Sequence, residues 1–191
     1  MKNLSYLILI LVLSLTACKK VKKEVETTTE DMEAVEAVVS EAKKLKIELA
    51  PKSESDVTGT VFFKEEDGVV SMTAMLSGLE PGEHAIHIHA SSDCSSPDGT
   101  SAGGHWNPTA QPHGKWGMAE GYHKGDIGNF TADENGNATV SFSTDEWCIG
   151  CDDETKNIVG KGVIVHAGAD DFTSQPSGAA GARVSCAGII E

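Results

Sequence analysis

All seven histidines of the 191-residue chain fall between positions 84 and 166. His87-x-His89 is the sharpest local feature. On a strand, residues two apart point to the same face about 6 to 7 Å apart, so two imidazoles could reach one ion from a rigid element. Taken alone, the pair reads as the polar face of an edge strand. The other histidines change that weighting. His105 sits in Gly103-Gly104-His105-Trp106-Asn107-Pro108, His113 follows Pro112, and His123-x-x-Asp126 sets a carboxylate close behind a nitrogen ligand. His166 ends the apolar run Val163-Ile164-Val165, where an unpaired polar group would cost free energy. Six or seven imidazoles and a carboxylate exceed what one tetrahedral site needs. Two metals are the economical reading. Imidazoles suit copper and zinc, and three histidines with a carboxylate fit a closed zinc site.

The elements that must position these residues read as strands. Leu45, Ile47 and Leu49 alternate with Lys46, Glu48 and Ala50, the pattern of a half-buried strand. Further strands are predicted over 57–63, 69–76, 84–90, 127–132, 138–143, 162–166 and 183–190. Asp67-Gly68 and Asn135-Gly136 have the chemistry of two-residue hairpin turns, and each is expected to bridge the strands beside it. From 91 to 122 no periodicity appears, and Gly, Pro, Ser and Asp dominate. A loop of that length inside a compact domain marks a functional segment. The expected fold is all-β, an eight-stranded sandwich or barrel with long loops.

The N-terminus points to export. Lys2 precedes an apolar stretch over residues 6–15, too short to span a bilayer comfortably. Leu15-Thr16-Ala17-Cys18 resembles the lipobox of bacterial lipoproteins. That resemblance implies a signal peptide over 1–17, removed before Cys18, and several acyl chains on Cys18 that anchor it stably. The competing reading is an ordinary secretory signal with an incidental cysteine. Residues 18–43 carry opposite charges in blocks with no aromatic residue and read as a solvated tether. Within it, Thr28-x-x-Asp31 could cap a helix from 30 to 44 with Met32, Val35 and Val39 as its apolar stripe, marginal in water unless docked. The domain proper is expected over 44–191. Residues 53–191 hold 6 Lys or Arg against 21 acids, a net of −15, which disfavours nucleic acid and anionic lipid as partners of the domain. Cys94, Cys148, Cys151 and Cys186 remain beside Cys18. An exported protein meets oxidising conditions, and four cysteines allow three pairings.

These residues carry a family resemblance. His84-Ala85-Ile86-His87-Ile88-His89, Ser101-Ala102-Gly103-Gly104-His105-Trp106-Asn107-Pro108 and His123-Lys124-Gly125-Asp126-Ile127-Gly128-Asn129 are similar to copper–zinc superoxide dismutases. So are Val165-His166-Ala167-Gly168-Ala169-Asp170-Asp171 and Gly181-Ala182-Arg183-Val184-Ser185-Cys186. They occur in the family's order, over about residues 44–191. The resemblance implies a Greek-key β-barrel that disproportionates superoxide. It implies copper held by His87, His89, His105 and His166, and zinc held by His105, His113, His123 and Asp126, with His105 shared. Asp170 would link a copper histidine to a zinc histidine, Arg183 would receive the anion, and Cys94 would pair with Cys186. His84 matches a packing histidine that bonds to backbone. Family members form homodimers through differing surfaces, so a homodimer is allowed. With Cys18 acylated, the expected location is the cell envelope, on the periplasmic face of a bacterial membrane.

Two features depart from the family's common pattern. The loop over 172–182 is uncharged and lacks the Lys and Glu cluster by which eukaryotic members guide superoxide. Cys148-x-x-Cys151 could be a local disulfide, half of a zinc site or a redox pair. Without a second such motif or a βαβ setting, the disulfide is favoured. Two other function classes fit the residues less well. A copper-delivery module that kept the fold without the chemistry would be expected to lack Arg183, His105 or Asp126, and all three are present. A structural or adhesive sandwich would not carry this number of ligands in this order.

Overall fold

The computed structural model describes residues 42–191. The expected signal peptide, Cys18 and the tether through residue 41 lie outside the described residues. Among those described, eight strands run as β1 (Lys43–Pro51), β2 (Thr58–Glu66), β3 (Val69–Ser77), β4 (Gly82–His89), β5 (Gly128–Ala132), β6 (Ala138–Thr144), β7 (Gly162–His166) and β8 (Arg183–Gly188). A single 3-10 turn, Thr100–Ala102, interrupts the long loop after β4. Every strand pair is antiparallel, and the sheet order is β5-β4-β7-β8-β1-β2-β3-β6. The two end strands approach each other, so the sheet nearly closes into a Greek-key barrel.

The fold departs from the sequence pattern at two places. The helix expected over 30–44 falls mostly outside the described residues, but Lys43 and Lys44 belong to β1, opposite Glu65 and Lys64. The ladder satisfies their backbone groups, which a marginal solvated helix cannot match. The Asn135-Gly136 turn does not close a hairpin either. β5 pairs with β4 and β6 with β3, at opposite ends of the sheet. The turn instead docks on the corner at Leu79, whose N–H donates to the Gly136 carbonyl at 3.1 Å. Asp67-Gly68 behaves as expected: both residues have positive φ, 51° and 78°, the conformation of a type I′ turn, and Glu66 lies opposite Val69.

Burial along the strands explains how the sheet presents its histidines. In β3 buried and outward residues alternate, so one face meets the core and the other meets solvent. β4 from His84 onward and all of β7 are buried at every position. Ile86, Ile88, Val163 and Val165 enter the barrel core with Phe63, Met72 and Trp147. The alternate residues His87, His89, Ile164 and His166 therefore point out of the barrel, where loops cover them. Ile164 packs there in a second small cluster with Ala102, Cys186 and Cys94. The ligand face of the sheet is thus a second buried layer, roofed by loop rather than by sheet.

Candidate metal centre

Two strands and the one long connection between β4 and β5 deliver the ligands to one place. His87 and His89 come from β4 and His166 from the end of β7. His105, in the loop after β4, forms an isolated antiparallel bridge with His89. His113, His123 and Asp126 follow in the irregular stretch before β5. Among the described residues two groups have ligand atoms close enough to share an ion: His87, His89, His105 and His166, and His105, His113, His123 and Asp126. His105 is common to both, and its ring centroid lies 4.1 Å from that of His87 and 5.3 Å from that of His113. All seven residues are buried.

One ring nitrogen of each histidine in these groups is buried with no hydrogen-bond partner: His87 Nδ1, His89 Nε2, His105 Nε2, His113 Nδ1, His123 Nδ1 and His166 Nε2. His113 Nδ1 and His123 Nδ1 lie 3.0 and 3.3 Å from Asp126 oxygens, yet not in hydrogen-bond geometry. That is the disposition of donors that converge on a common cation. A buried polar group without a partner costs about 1–3 kcal/mol. Six such groups would consume about 6–18 kcal/mol, comparable to the whole stability of a domain. Divalent ions coordinated by these lone pairs remove the penalty, so the residues present fit metal.

The opposite nitrogens of His87, His89, His105, His113 and His166 are held by the protein, which sets those rings' tautomers and directions. Asp170 joins the two groups, with Oδ2 2.9 Å from His87 Nε2 and Oδ1 2.9 Å from His113 Nε2. Asp170 is held in turn by Asn129, whose side chain accepts from Asp170 N–H and donates to its carbonyl, both at 2.8 Å. His89 Nδ1 faces the Gly103 carbonyl at 2.9 Å and His166 Nδ1 the Gly181 carbonyl at 3.3 Å. His84 belongs to neither group. Its ring nitrogens face the carbonyls of Glu80 and His166 at 2.7 and 3.0 Å, so it steadies the backbone of a ligand, in keeping with a packing role.

The electrostatics suit cation binding. Burial pushes His105 down to about 4 and His166 to about 3, and takes His89 well below its ordinary value. These imidazoles are neutral at neutral pH, with lone pairs free. Arg183 pushes His89 and His166 in the same direction, so its positive charge is felt at the first group. Burial works against a charge on His113, but the carboxylates of Asp126 and Asp170 beside its ring outweigh it and raise His113 to about 9. A metal ion there would take over from that proton. Burial also opposes ionisation of Asp126, yet the imidazoles of His105, His113 and His123 hold it far below the usual carboxylate range.

A cleft of about 530 Å³ opens onto His89, His105, His123 and His166, walled by Arg183, Gln175, Pro176 and Ser177. A larger hollow of about 730 Å³ reaches His105 past Trp106 but touches none of the other ligands, so the smaller cleft serves the site. Arg183 Nη1 donates to the Gly99 carbonyl at 2.8 Å. Gly99 lies in the loop that the Cys94–Cys186 disulfide ties to β8, three residues beyond Arg183. Cys148 and Cys151 form a second, local disulfide, so the redox pair and the half zinc site are not needed to account for the motif. Sequence reasoning did not find Gln175, nor the carbonyls of Gly103 and Gly181. Backbone acceptors carry no residue-type signal, and a lone Gln in a loop carries little.

The family model for copper/zinc superoxide dismutase (SODC) matches residues 57–189. A crystal structure of a histidine-substituted variant of a SOD-like protein from Bacillus subtilis is 29% identical, with 76% of this chain and 97% of that one covered and a TM-score of 0.68. The crystal structure of the clock protein EA4 is 31% identical, with 77% and 94% covered and a TM-score of 0.66. An eight-stranded barrel, two histidine groups sharing His105, and a family match over most of the chain agree: the chain belongs to the copper/zinc superoxide dismutase family.

Proposed function

We propose that the chain disproportionates superoxide to dioxygen and hydrogen peroxide, with copper in the four-histidine group and zinc in the group containing Asp126. The observation that carries this reading is the single ring of His105 serving both groups. Four imidazoles suit copper, and three imidazoles with one carboxylate suit a closed zinc site. Copper, when bound, supplies the one-electron oxidation and reduction that the reaction alternates between. The protein's own part is to position, attract and protonate. Arg183 draws the anion into the cleft beside His89, His105 and His166. His105 is placed to hand a proton to the reduced product, because it lines the cleft with its Nε2 free of hydrogen-bond partners while its Nδ1 is held against Asp126 at 2.8 Å. Asp170 keeps His87 and His113 from rotating.

The domain's net charge of −15 over residues 53–191 would repel superoxide if it acted as a whole. At physiological salt, exposed charges beyond about 8 Å are largely screened. Two divalent ions and Arg183, set against Asp126, Asp170 and the shared ring, leave the pocket at about +2 on formal count. The local sign governs capture. On the copper- and zinc-loaded protein, Arg183→Glu should lower superoxide consumption at least about tenfold at low salt, with melting temperature nearly unchanged. The parent's rate should fall as salt rises. An unaffected variant, or no catalysis by the loaded parent, would reject the reading.

The same reading places the enzyme in the cell envelope, tethered through lipid on Cys18. It is supported by the apolar stretch ahead of Leu15-Thr16-Ala17-Cys18 and the charged segment behind it. Cys18→Ser should leave the protein exported but recovered in the soluble fraction. A variant that stays with membranes as tightly as the parent contradicts anchoring at Cys18.

A further inference from the structure

His113 stands apart from the other ligands. His87, His89 and His166 are held by strands, and His105 by its bridge to His89. His123 is fixed through its own N–H, which donates to Asp126 at 2.7 Å. The segment 107–122 that carries His113 has, among the described residues, backbone hydrogen bonds that close only on itself: Ala110 to Asn107, Met118 to Lys115 and Gly121 to Met118. No ladder sets where His113 stands.

Its neighbour Gly114 donates its N–H to Asp126 Oδ2 at 3.1 Å, and the backbone of His113 itself is held by the amide of Gln175. Its Oε1 accepts from the His113 N–H at 2.9 Å, and its Nε2 donates to the His113 carbonyl at 2.9 Å. Both polar groups of one side chain thus engage both backbone groups of one ligand residue, 62 positions away in the chain. The same loop supplies Asp170 to the His113 ring. Gly178 shuts this arrangement from behind: a Cβ there would come within 1.7 Å of Asp170 Oδ1 and 2.6 Å of His113 Nε2. Gln175 also lines the anion cleft with its neighbours Pro176 and Ser177, as does Arg183.

We propose that Gln175 is a positioning residue for the zinc site: it clamps the backbone of His113 so that the ring meets Asp126, and it fastens the cleft wall to the zinc ligands. The inference rests on the zinc reading above. It makes the uncharged loop over 172–182 a mechanical element of the site rather than a passive rim.

The test measures zinc affinity of the copper-loaded full chain by competition with a chromophoric chelator, and copper affinity in parallel. Gln175→Met keeps the length of the side chain and removes both hydrogen bonds; Gln175→Ala removes the bulk as well. Both variants should bind zinc about tenfold more weakly, the lower end of what outer-shell partners of a metal site provide. Copper affinity should stay unchanged, and the metal-free melting temperature should stay within about 2 °C. A Gln175→Met variant that holds zinc like the parent would overturn the clamp, since side-chain size alone would then suffice. Equal loss of copper and zinc with a lowered melting temperature would also overturn it, because the loop and not His113 would be what Gln175 supports. If the parent takes no zinc from the chelator, the zinc reading itself fails, which is a distinct result from parental zinc binding with indifferent variants.

Discussion

His105→Ala is expected to lose dismutation by at least about a hundredfold and to lower the content of both metals, zinc as well as copper. The reason is geometric. His105 belongs to both groups: its Nε2 is buried with no hydrogen-bond partner, while its Nδ1 lies 2.8 Å from Asp126. Removing one ring therefore subtracts a ligand from two sites at once. Each site would retain three side-chain donors, enough to bind but with lower affinity and altered geometry. The Asp126 carboxylate would also lose one of the imidazoles that hold it ionised. Metal analysis beside a superoxide-consumption assay reads both effects. Unchanged copper and zinc in a variant of normal activity would remove the shared-ligand reading.

Cys94→Ser is expected to have the largest effect on stability. The disulfide spans 92 positions, and the chain-entropy model assigns a loop of that length about 4–5 kcal/mol. It also joins two structures that matter to the reaction. Cys94 begins the loop that bears Gly99, whose carbonyl accepts from Arg183, and Cys186 lies on β8 three residues after Arg183. Loss of the bridge should therefore lower denaturation midpoint and activity together. Cys148 and Cys151 are three positions apart, a closure worth only about 2 kcal/mol on the same model. They lie in the loop between β6 and β7 and contribute no ligand to either histidine group. Cys148→Ser with Cys151→Ser should thus leave activity close to the parent's. Denaturant titration with parallel activity assays checks the contrast, and an inactive double variant would return the CxxC motif to a redox or metal role.

Much of this molecule was legible in its sequence because the relevant signals are local. The two-residue period of a strand places His87 and His89 on one face, and the structure puts both on the outward face of β4. The same period on Leu45, Ile47 and Leu49 marked β1, which begins only two residues before Leu45. The ligand types alone argued for two ions, because imidazole and carboxylate chemistry travels with the residue. The family resemblance then supplied the order of the ligands and the pairing of Cys94 with Cys186, which residue counting left as one of three possibilities.

What the tertiary structure decided is everything that depends on which distant backbones meet. Asn135-Gly136 has hairpin chemistry, yet its flanking strands end at opposite edges of the sheet, because β3 and β4 offered each a longer-range partner. Which nitrogen of His87, His89, His113 and His166 faces inward follows from the carbonyls of Gly103 and Gly181 and from Asp170. Those acceptors become partners only once loops separated by tens of residues are folded over the sheet. Gln175 is the plainest case. An exposed glutamine in an uncharged loop has no signature of its own, and its role arises only because folding sets its amide against the backbone of His113. Local periodicity and ligand type are properties of short segments, whereas these contacts exist only after the barrel has closed.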